Sequence, residues 1–167
     1  MELHWIHESP PSWDGEKQRI VGGAGPDIFE RSLIETAHGS LLPGDWWRVM
    51  AGDVVVGFGW MDVTWGDAEM GLAVAPTAQR HGVGGFILDS LAAEASARGL
   101  HYLYNVVRDT HPSRAQVSAW LASRGFKASD DGKLLRSVVR RQSGSGRSLP
   151  GSHGHKRGAA AHPRSNA

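Results

Sequence analysis

The sequence predicts an α/β fold of the α+β type, in which helices flank a mixed, mostly antiparallel sheet. Three observations predict it. Three strand-like segments follow one another across short Gly-Asp turns, two later segments carry apolar residues on one helical face, and the composition is that of a globular protein. With 167 residues, 40% of them apolar and 21% charged, the chain can bury a hydrophobic core, and it contains no cysteine.

The N-terminal part predicts a short strand over Leu3–Ile6 and then mostly loop over Glu8–Gly25, which is rich in Pro and Gly. A helix is predicted to begin at Pro26 and end at Gly39. Proline suits the first helical turn, and the acidic residues that follow it favour the positive end of the helix dipole.

Three strands come next, because β-branched and aromatic residues dominate these stretches and Gly-Asp pairs separate them. They are Trp46–Ala51, Val54–Thr64 and Ala68–Ala75. Their short turns predict antiparallel neighbours.

The second half alternates between helices and strands. An amphipathic helix is predicted from Phe86 to Arg98, with four apolar residues on one face: Ile87, Leu88, Leu91 and Ala95. The elements predicted after it are a strand over Tyr102–Val107, a helix between Pro112 and Gly125, and a hairpin of Phe126–Ala128 with Leu134–Arg140.

The segment Gln79–Gly85 reads QRHGVGG and lies directly between a predicted strand and a predicted helix. Glycines let a ligand approach the backbone closely, and the free N–H groups at a helix start attract an anion such as pyrophosphate. The segment does not match the dinucleotide fingerprint G-x-G-x-x-G, because Ile87 stands at the position of its third glycine. It does not match the P-loop motif either, because no Gly-Lys-Ser/Thr follows. A glycine-rich turn without a ligand remains the alternative.

Three features together resemble the GNAT superfamily, the Gcn5-related N-acetyltransferases. Gln79, Gly82 and Gly84 fit its pyrophosphate loop Q/R-x-x-G-x-G/A. The stretch Glu69–Pro76 is similar to its fourth strand, which often ends in V-x-P, and Ser123–Phe126 to its closing G-F. The resemblance covers residues 1–140. It implies an enzyme that transfers the acetyl group of acetyl-CoA to a primary amine by direct attack in a ternary complex, without a metal.

The resemblance also implies a set of cofactor-binding positions. The backbone of the strand would pair with the pantetheine arm, and the N–H near Val74 would polarise the thioester carbonyl. The strands Ala68–Ala75 and Tyr102–Val107 would separate to admit the arm. The implied positions are Leu72, Ala73, Val74, Gln79, Arg80, His81, Gly82, Val83, Gly84 and Gly85.

Glu69 is the candidate general base, because some members of the family place a glutamate on this strand; a solvated or ion-paired Glu69 is the alternative. The tyrosine that the family often carries in its fourth helix is replaced by Leu121, and Arg114 stands where an asparagine is usual. Tyr104 is therefore the candidate acid. The missing tyrosine also favours a second hypothesis, a non-catalytic acyl-CoA-binding sensor or partner protein.

The acceptor side has fewer signals. Four tryptophans crowd the predicted three-stranded segment, and they indicate either an aromatic acceptor pocket or ordinary core packing: Trp46, Trp47, Trp60 and Trp65. Asp62 and Asp67 could attract a cationic amine. A small molecule or a protein could supply that amine.

Residues 141–167 are predicted to form a separate, disordered basic tail. The tail carries five of the 18 Lys and Arg residues and none of the 17 acidic ones. Nucleic-acid binding by five dispersed charges is not favoured. The longest apolar run, Val54–Met61, is too short to cross a membrane, so we expect a cytoplasmic protein. A homodimer would be usual for the resembled family.

Overall fold

The computed structural model describes residues 1–132 and 134–140, and within them it contains seven strands and four α-helices. The predicted basic tail, residues 141–167, lies outside the described residues. In chain order the elements are β1 (Leu3–His7), α1 (Gly15–Ile20), α2 (Arg31–Ile34), β2 (Asp45–Ala51), β3 (Val54–Thr64), β4 (Asp67–Val74), α3 (Val83–Ala97), β5 (Tyr102–Val106), α4 (Arg114–Ser123), β6 (Lys127–Ala128) and β7 (Leu134–Val138).

The seven strands form one sheet in the order β1-β2-β3-β4-β5-β7-β6. Neighbours pair antiparallel except β4 and β5, which are parallel and are joined by the crossover through α3. This confirms the predicted α+β fold with its mostly antiparallel sheet. Among the described residues, every helix is too short or too polar to serve as a membrane span.

The meander β2-β3-β4 forms as predicted, and β3 has the predicted bounds. Its second turn places Trp65 at φ 54° and Gly66 at φ 81°, two successive left-handed residues that suit the twist of a two-residue hairpin. Trp65 is 97% exposed there, so it takes no part in the core.

Helix α3 covers one face of the sheet, and its predicted apolar stripe is buried. The helix lies close to the sheet because β3 carries glycine beneath it. A side chain at Gly59 would come within 2.7 Å of both Ile87 and Trp5. The stripe therefore packs almost directly on the strand backbone.

The first helical region differs from the prediction. The helix predicted from Pro26 to Gly39 is wrong, because only Arg31–Ile34 is α-helical. Asp27 has a φ of 63°, and Glu30 is extended at φ −61° and ψ 140°, so the chain leaves helical geometry twice before α2. The segment instead turns apolar and acidic side chains toward a cavity described below.

The stretch Glu8–Gly25, predicted as mostly loop, contains α1. Asp14 caps this helix by accepting a 2.9 Å hydrogen bond from the Lys17 backbone N–H. Lys17 is fully buried, and its ammonium lies 2.7 Å from the Glu8 carboxylate and 3.4 Å from Asp14. Arg48 of β2 also pairs with Asp14, at 2.7 Å. This buried ion-pair network fixes a helix too short to show apolar periodicity.

Candidate active site

Strands β4 and β5 separate in the middle of the sheet. They pair only where Asp67–Glu69 of β4 faces Tyr102–Tyr104 of β5. Beyond this ladder the Asn105 side-chain amide donates a 2.8 Å hydrogen bond to the Met70 carbonyl, in place of a backbone partner. Asn105 therefore closes the narrow end of a wedge-shaped gap that widens toward the carboxyl end of β4.

The β4 backbone in this gap lacks a strand partner on its β5 side. Ala75 donates its N–H to Val56 at 2.8 Å, so alternate residues of β4 point their polar groups toward β3. The N–H and C=O groups of Leu72 and Val74 consequently face the gap. The Gln79 amide reaches the Val74 carbonyl at 3.5 Å. An extended ligand can pair with the remaining groups as an added strand does.

The wide end of the gap meets the start of α3. Arg80 and Gly82 both have left-handed backbones, with φ 64° and 80°, and they turn the chain sharply into the helix. Gly82 provides no side-chain cap, and the helical hydrogen bonds begin when Phe86 donates to the Gly82 carbonyl at 3.0 Å. The N–H groups of Val83–Gly85 therefore have no intrahelical acceptor and are directed at one point, which suits an anion.

A cavity of about 1140 Å³ connects this helix start with the gap and with the α1–α2 region. Six of the ten predicted cofactor positions line it: Leu72, Ala73, Val74, Gln79, Arg80 and Gly84. The other four, His81, Gly82, Val83 and Gly85, belong to the turn into α3, where His81 and Gly82 are exposed and Val83 and Gly85 buried. The fold thus brings six of the predicted positions to the cavity and places the other four in the adjoining turn.

Three carboxylates line this cavity: Glu30, Asp62 and Glu69. Glu69 and Asp62 are directly opposite each other on β4 and β3. Partial burial raises the pKa of Glu69, and the negative charges of Glu30 and Asp62 raise it further. Among the described residues none of the three forms an ion pair, and their charges act together at Glu69. Arg80, Arg108 and His111 also line the cavity, so the negative charge is local to these carboxylates.

Tyr104 is in register with Glu69 on β5, but it does not line the cavity. Partial burial raises its pKa, as do the charges of Glu69, Asp67 and Asp62. Its hydroxyl therefore stays protonated at neutral pH. Leu121, at the position of the family's tyrosine, is buried and lines the cavity with an apolar surface.

An aromatic wall stands opposite α4. The Trp60 ring is stacked on Trp46 with centroids 4.4 Å apart, and it contacts Phe29 at 5.4 Å. All three line the cavity. Trp47 instead stacks on Trp5 at 5.3 Å and has no part in the cavity lining. Of the four tryptophans considered from the sequence, two therefore belong to the wall.

Sequence reasoning missed several lining residues, among them Phe29, Glu30 and Asn105. Phe29 and Glu30 lie in the segment that was expected to be helix, so their direction could not be inferred. Asn105 lies inside a predicted strand and attracts attention only because a polar amide interrupts an apolar run. No group of three or more potential metal ligands occurs among the described residues.

The parallel strands β4 and β5 separate, and the uncapped start of α3 lies at this opening. The resemblance to N-acetyltransferases implies this architecture. The model of the acetyltransferase (GNAT) family matches residues 4–126. The chain therefore belongs to the GNAT acetyltransferase family, which supports an acyltransferase activity. No curated protein sequence matches it significantly.

Solved structures share the fold at low sequence identity. Ribosomal-protein-S18-alanine N-acetyltransferase from Escherichia coli is similar with a TM-score of 0.55 and 19% identity, over 89% of this chain and 99% of that chain. PaiA N-acetyltransferase from Thermoplasma acidophilum, in complex with coenzyme A, has a TM-score of 0.56 and 13% identity, over 83% of this chain and 99% of that chain. N-acetylglutamate synthase from Neisseria gonorrhoeae, complexed with coenzyme A and L-arginine, has a TM-score of 0.54 and 15% identity, over 83% of this chain and 34% of that chain.

Proposed function

We propose that the protein is an N-acetyltransferase that uses acetyl-CoA as cosubstrate and acetylates a primary amine by direct attack in a ternary complex. One observation carries the proposal: the unpaired β4 backbone leads directly to the uncapped start of α3. The first suits an extended pantetheine arm and the second a pyrophosphate, so a single acyl-CoA would satisfy both.

The residues of the gap would position the thioester. Leu72 and Val74 would pair with the arm, and the N–H groups of Val83–Gly85 would hold the pyrophosphate. The Val74 N–H would donate to the thioester carbonyl oxygen as negative charge develops there. These backbone donors need no rearrangement, because the sheet and α3 already fix them.

Glu69 is the proposed base. An alkyl amine is protonated at neutral pH and must lose a proton before its nitrogen attacks. The carboxylates of Glu30, Asp62 and Glu69 would attract the ammonium form. Glu69, directly or through water, would take the proton as the C–N bond forms and the C–S bond breaks. Its raised pKa makes it a stronger base than an ordinary carboxylate. Tyr104 stays protonated but does not line the cavity, so it would reach the leaving thiolate only through water, and it is the candidate acid on that condition.

The experiment is calorimetric titration of acetyl-CoA into the protein and into Gly84→Glu. A side chain at Gly84 would lie against Trp120, 3.6 Å away at its Cβ, and its carboxylate would occupy and repel the pyrophosphate site. Gly15→Glu, at an open exposed position of α1, is the control with the same change of charge. Micromolar binding that only Gly84→Glu abolishes supports the proposal. Absence of binding by the unmodified protein overturns it.

The alternative is a non-catalytic acyl-CoA-binding sensor or partner protein. The observation that favours it is Leu121, an apolar buried side chain at the position where the family often has its tyrosine. Steady-state release of free CoA thiol separates the two functions. Release that depends on an added amine and is lost in Glu69→Gln identifies an enzyme, whereas tight binding without release across an amine panel identifies the binding protein.

A further inference from the structure

The guanidinium of Arg124, the residue that ends α4, lies against the first turn of α3. Gly85 makes this possible: a Cβ at Gly85 would lie 2.9 Å from Nη1 of Arg124 and closer still to Nη2. Glycine inside a helix costs stability relative to alanine. At this position the absent side chain leaves the space that the guanidinium occupies.

The location is electrostatically unusual. The start of a helix is the positive end of its dipole, and a cation there is unfavourable unless an anion accompanies it. The nearest acidic partner of Arg124 is Asp89, 3.6 Å from Nη1, and its side chain is 79% exposed, so solvent screens the pair. Arg124 and the uncapped N–H groups of Val83–Gly85 are therefore positive groups close together, and the exposed Asp89 carboxylate compensates only part of their charge.

The contacts of Arg124 also hold its orientation. The guanidinium carbon lies 5.4 Å from the ring centroid of Trp120, which lines the cavity. Arg124 itself does not line the cavity. The guanidinium therefore stands just outside the cavity, next to the helix start, where the nucleotide end of a bound acyl-CoA would emerge.

We propose that Arg124 is a further cofactor-binding residue, which donates hydrogen bonds to a phosphate group at the nucleotide end of acyl-CoA. This inference rests on the proposed function. The phosphate is either the 3′-phosphate or the outer part of the pyrophosphate; the two share the same chemistry, and a planar guanidinium can bind either through two N–H groups.

The test is calorimetric titration of the full chain with CoA and with 3′-dephospho-CoA. Arg124→Gln is expected to weaken CoA binding roughly tenfold or more, because charge-assisted hydrogen bonds to phosphate are lost. Arg98→Gln is a closely matched control. Arg98 pairs with Asp45 at 2.7 Å and lies 5.7 Å from the Trp47 ring, but it stands at the opposite end of α3.

The ligand pair identifies the phosphate. A loss in Arg124→Gln that is seen with CoA and not with 3′-dephospho-CoA assigns the contact to the 3′-phosphate. An equal loss with both ligands assigns it to the pyrophosphate. Equal affinities of Arg124→Gln and Arg98→Gln overturn the inference while leaving the proposed function intact. Failure of the unmodified protein to bind CoA is instead a failure of the proposed function.

A second variant covers the case in which Arg124→Gln does not fold. Asp89→Asn removes the carboxylate that competes for the guanidinium and leaves α3 helical. It is expected to tighten CoA binding a few-fold, because the guanidinium no longer has to leave its exposed ion pair with Asp89. Unchanged or weaker binding by Asp89→Asn would contradict a phosphate contact of Arg124.

Discussion

A single methyl group on Gly71 would displace the Trp60 ring, and this makes Gly71→Ala the most decisive test of how the aromatic wall is packed. Gly71 lies directly opposite Trp60 on the neighbouring strand. A Cβ at Gly71 would lie within 2.5 Å of three atoms of the Trp60 indole. Carbon atoms in contact are about 3.5–4.0 Å apart, so the ring must move by roughly 1 Å or more.

The ring can make such a movement only toward the cavity that it lines. It is stacked on Trp46, and Phe29 lies against it. Inserting a methyl group into a well-packed site typically costs about 1–3 kcal/mol, which for a folded part of this size lowers the melting temperature by roughly 3–10 °C. Acetyl-CoA binding is expected to stay unchanged, because the polar backbone groups of Gly71 point toward β3.

The assay is a double-mutant cycle followed by thermal unfolding, with acetyl-CoA affinity measured on every variant. In a Trp60→Leu background the added methyl group finds space, so Gly71→Ala is expected to cost much less there. Gly15→Ala, where a Cβ meets no atom within 4 Å, is the neutral control. Equal destabilisation in both backgrounds, or a Gly71→Ala variant as stable as the unmodified protein, would refute the packing argument.

Three further predictions follow from the charged groups. Glu69→Gln is expected to lower kcat by roughly 10²–10⁴-fold in a thiol-release assay without changing acetyl-CoA affinity. Because the Glu69 pKa is raised, folding disfavours the ionised carboxylate, so Glu69→Gln should also stabilise the protein at pH 7. This gain in stability should disappear as the pH falls and Glu69 becomes protonated in both the folded and the unfolded state. Asp62→Asn removes one of the charges that raise the Glu69 pKa, and the acid limb of the kcat/KM profile should move to lower pH; a shift to higher pH would contradict the assignment. Lys17→Met removes the ammonium beside Glu8, while Arg48 stays 3.5 Å from that carboxylate, so it is expected to cost about 1–3 kcal/mol by urea unfolding. Arg19→Met, in an exposed pair, should cost at most ~1 kcal/mol.

The sequence predicted the elements whose signals are local. The meander was recognisable from β-branched residues and turn glycines, and α3 from an apolar stripe at helical spacing. The loop Gln79–Gly85 was recognisable because backbone geometry itself demands glycine. These features needed no knowledge of distant parts of the chain.

The region before β2 could not be predicted in the same way. Helix α1 has six residues and is held by the contact of Lys17 with Glu8, nine positions earlier, and by Arg48 beside Asp14. The prediction of a helix after Pro26 was wrong because Asp27 adopts a left-handed backbone conformation, which no local sequence pattern indicates. Both outcomes depend on tertiary contacts, which override weak local propensity.

The catalytic candidates depend in the same way on strand register. Glu69 acquires its raised pKa because register places Asp62 opposite it and because the irregular segment after Pro26 brings Glu30 near. Register is set by the whole sheet, so the sequence could name Glu69 but could not give its electrostatic environment. The role of Glu69 is the prediction that the kinetics of Glu69→Gln and Asp62→Asn test.

The topology explains why the two halves of the cofactor site coincide. A parallel pair of strands requires a crossover, and in this sheet α3 makes the crossover between β4 and β5. The start of α3 must therefore lie at the carboxyl end of β4. The β4–β5 ladder ends at Glu69, which leaves the unpaired backbone at that same end of the strand. An anion site and a free strand edge consequently meet without any specialised side chain, which is why backbone geometry carries most of the proposed cofactor binding.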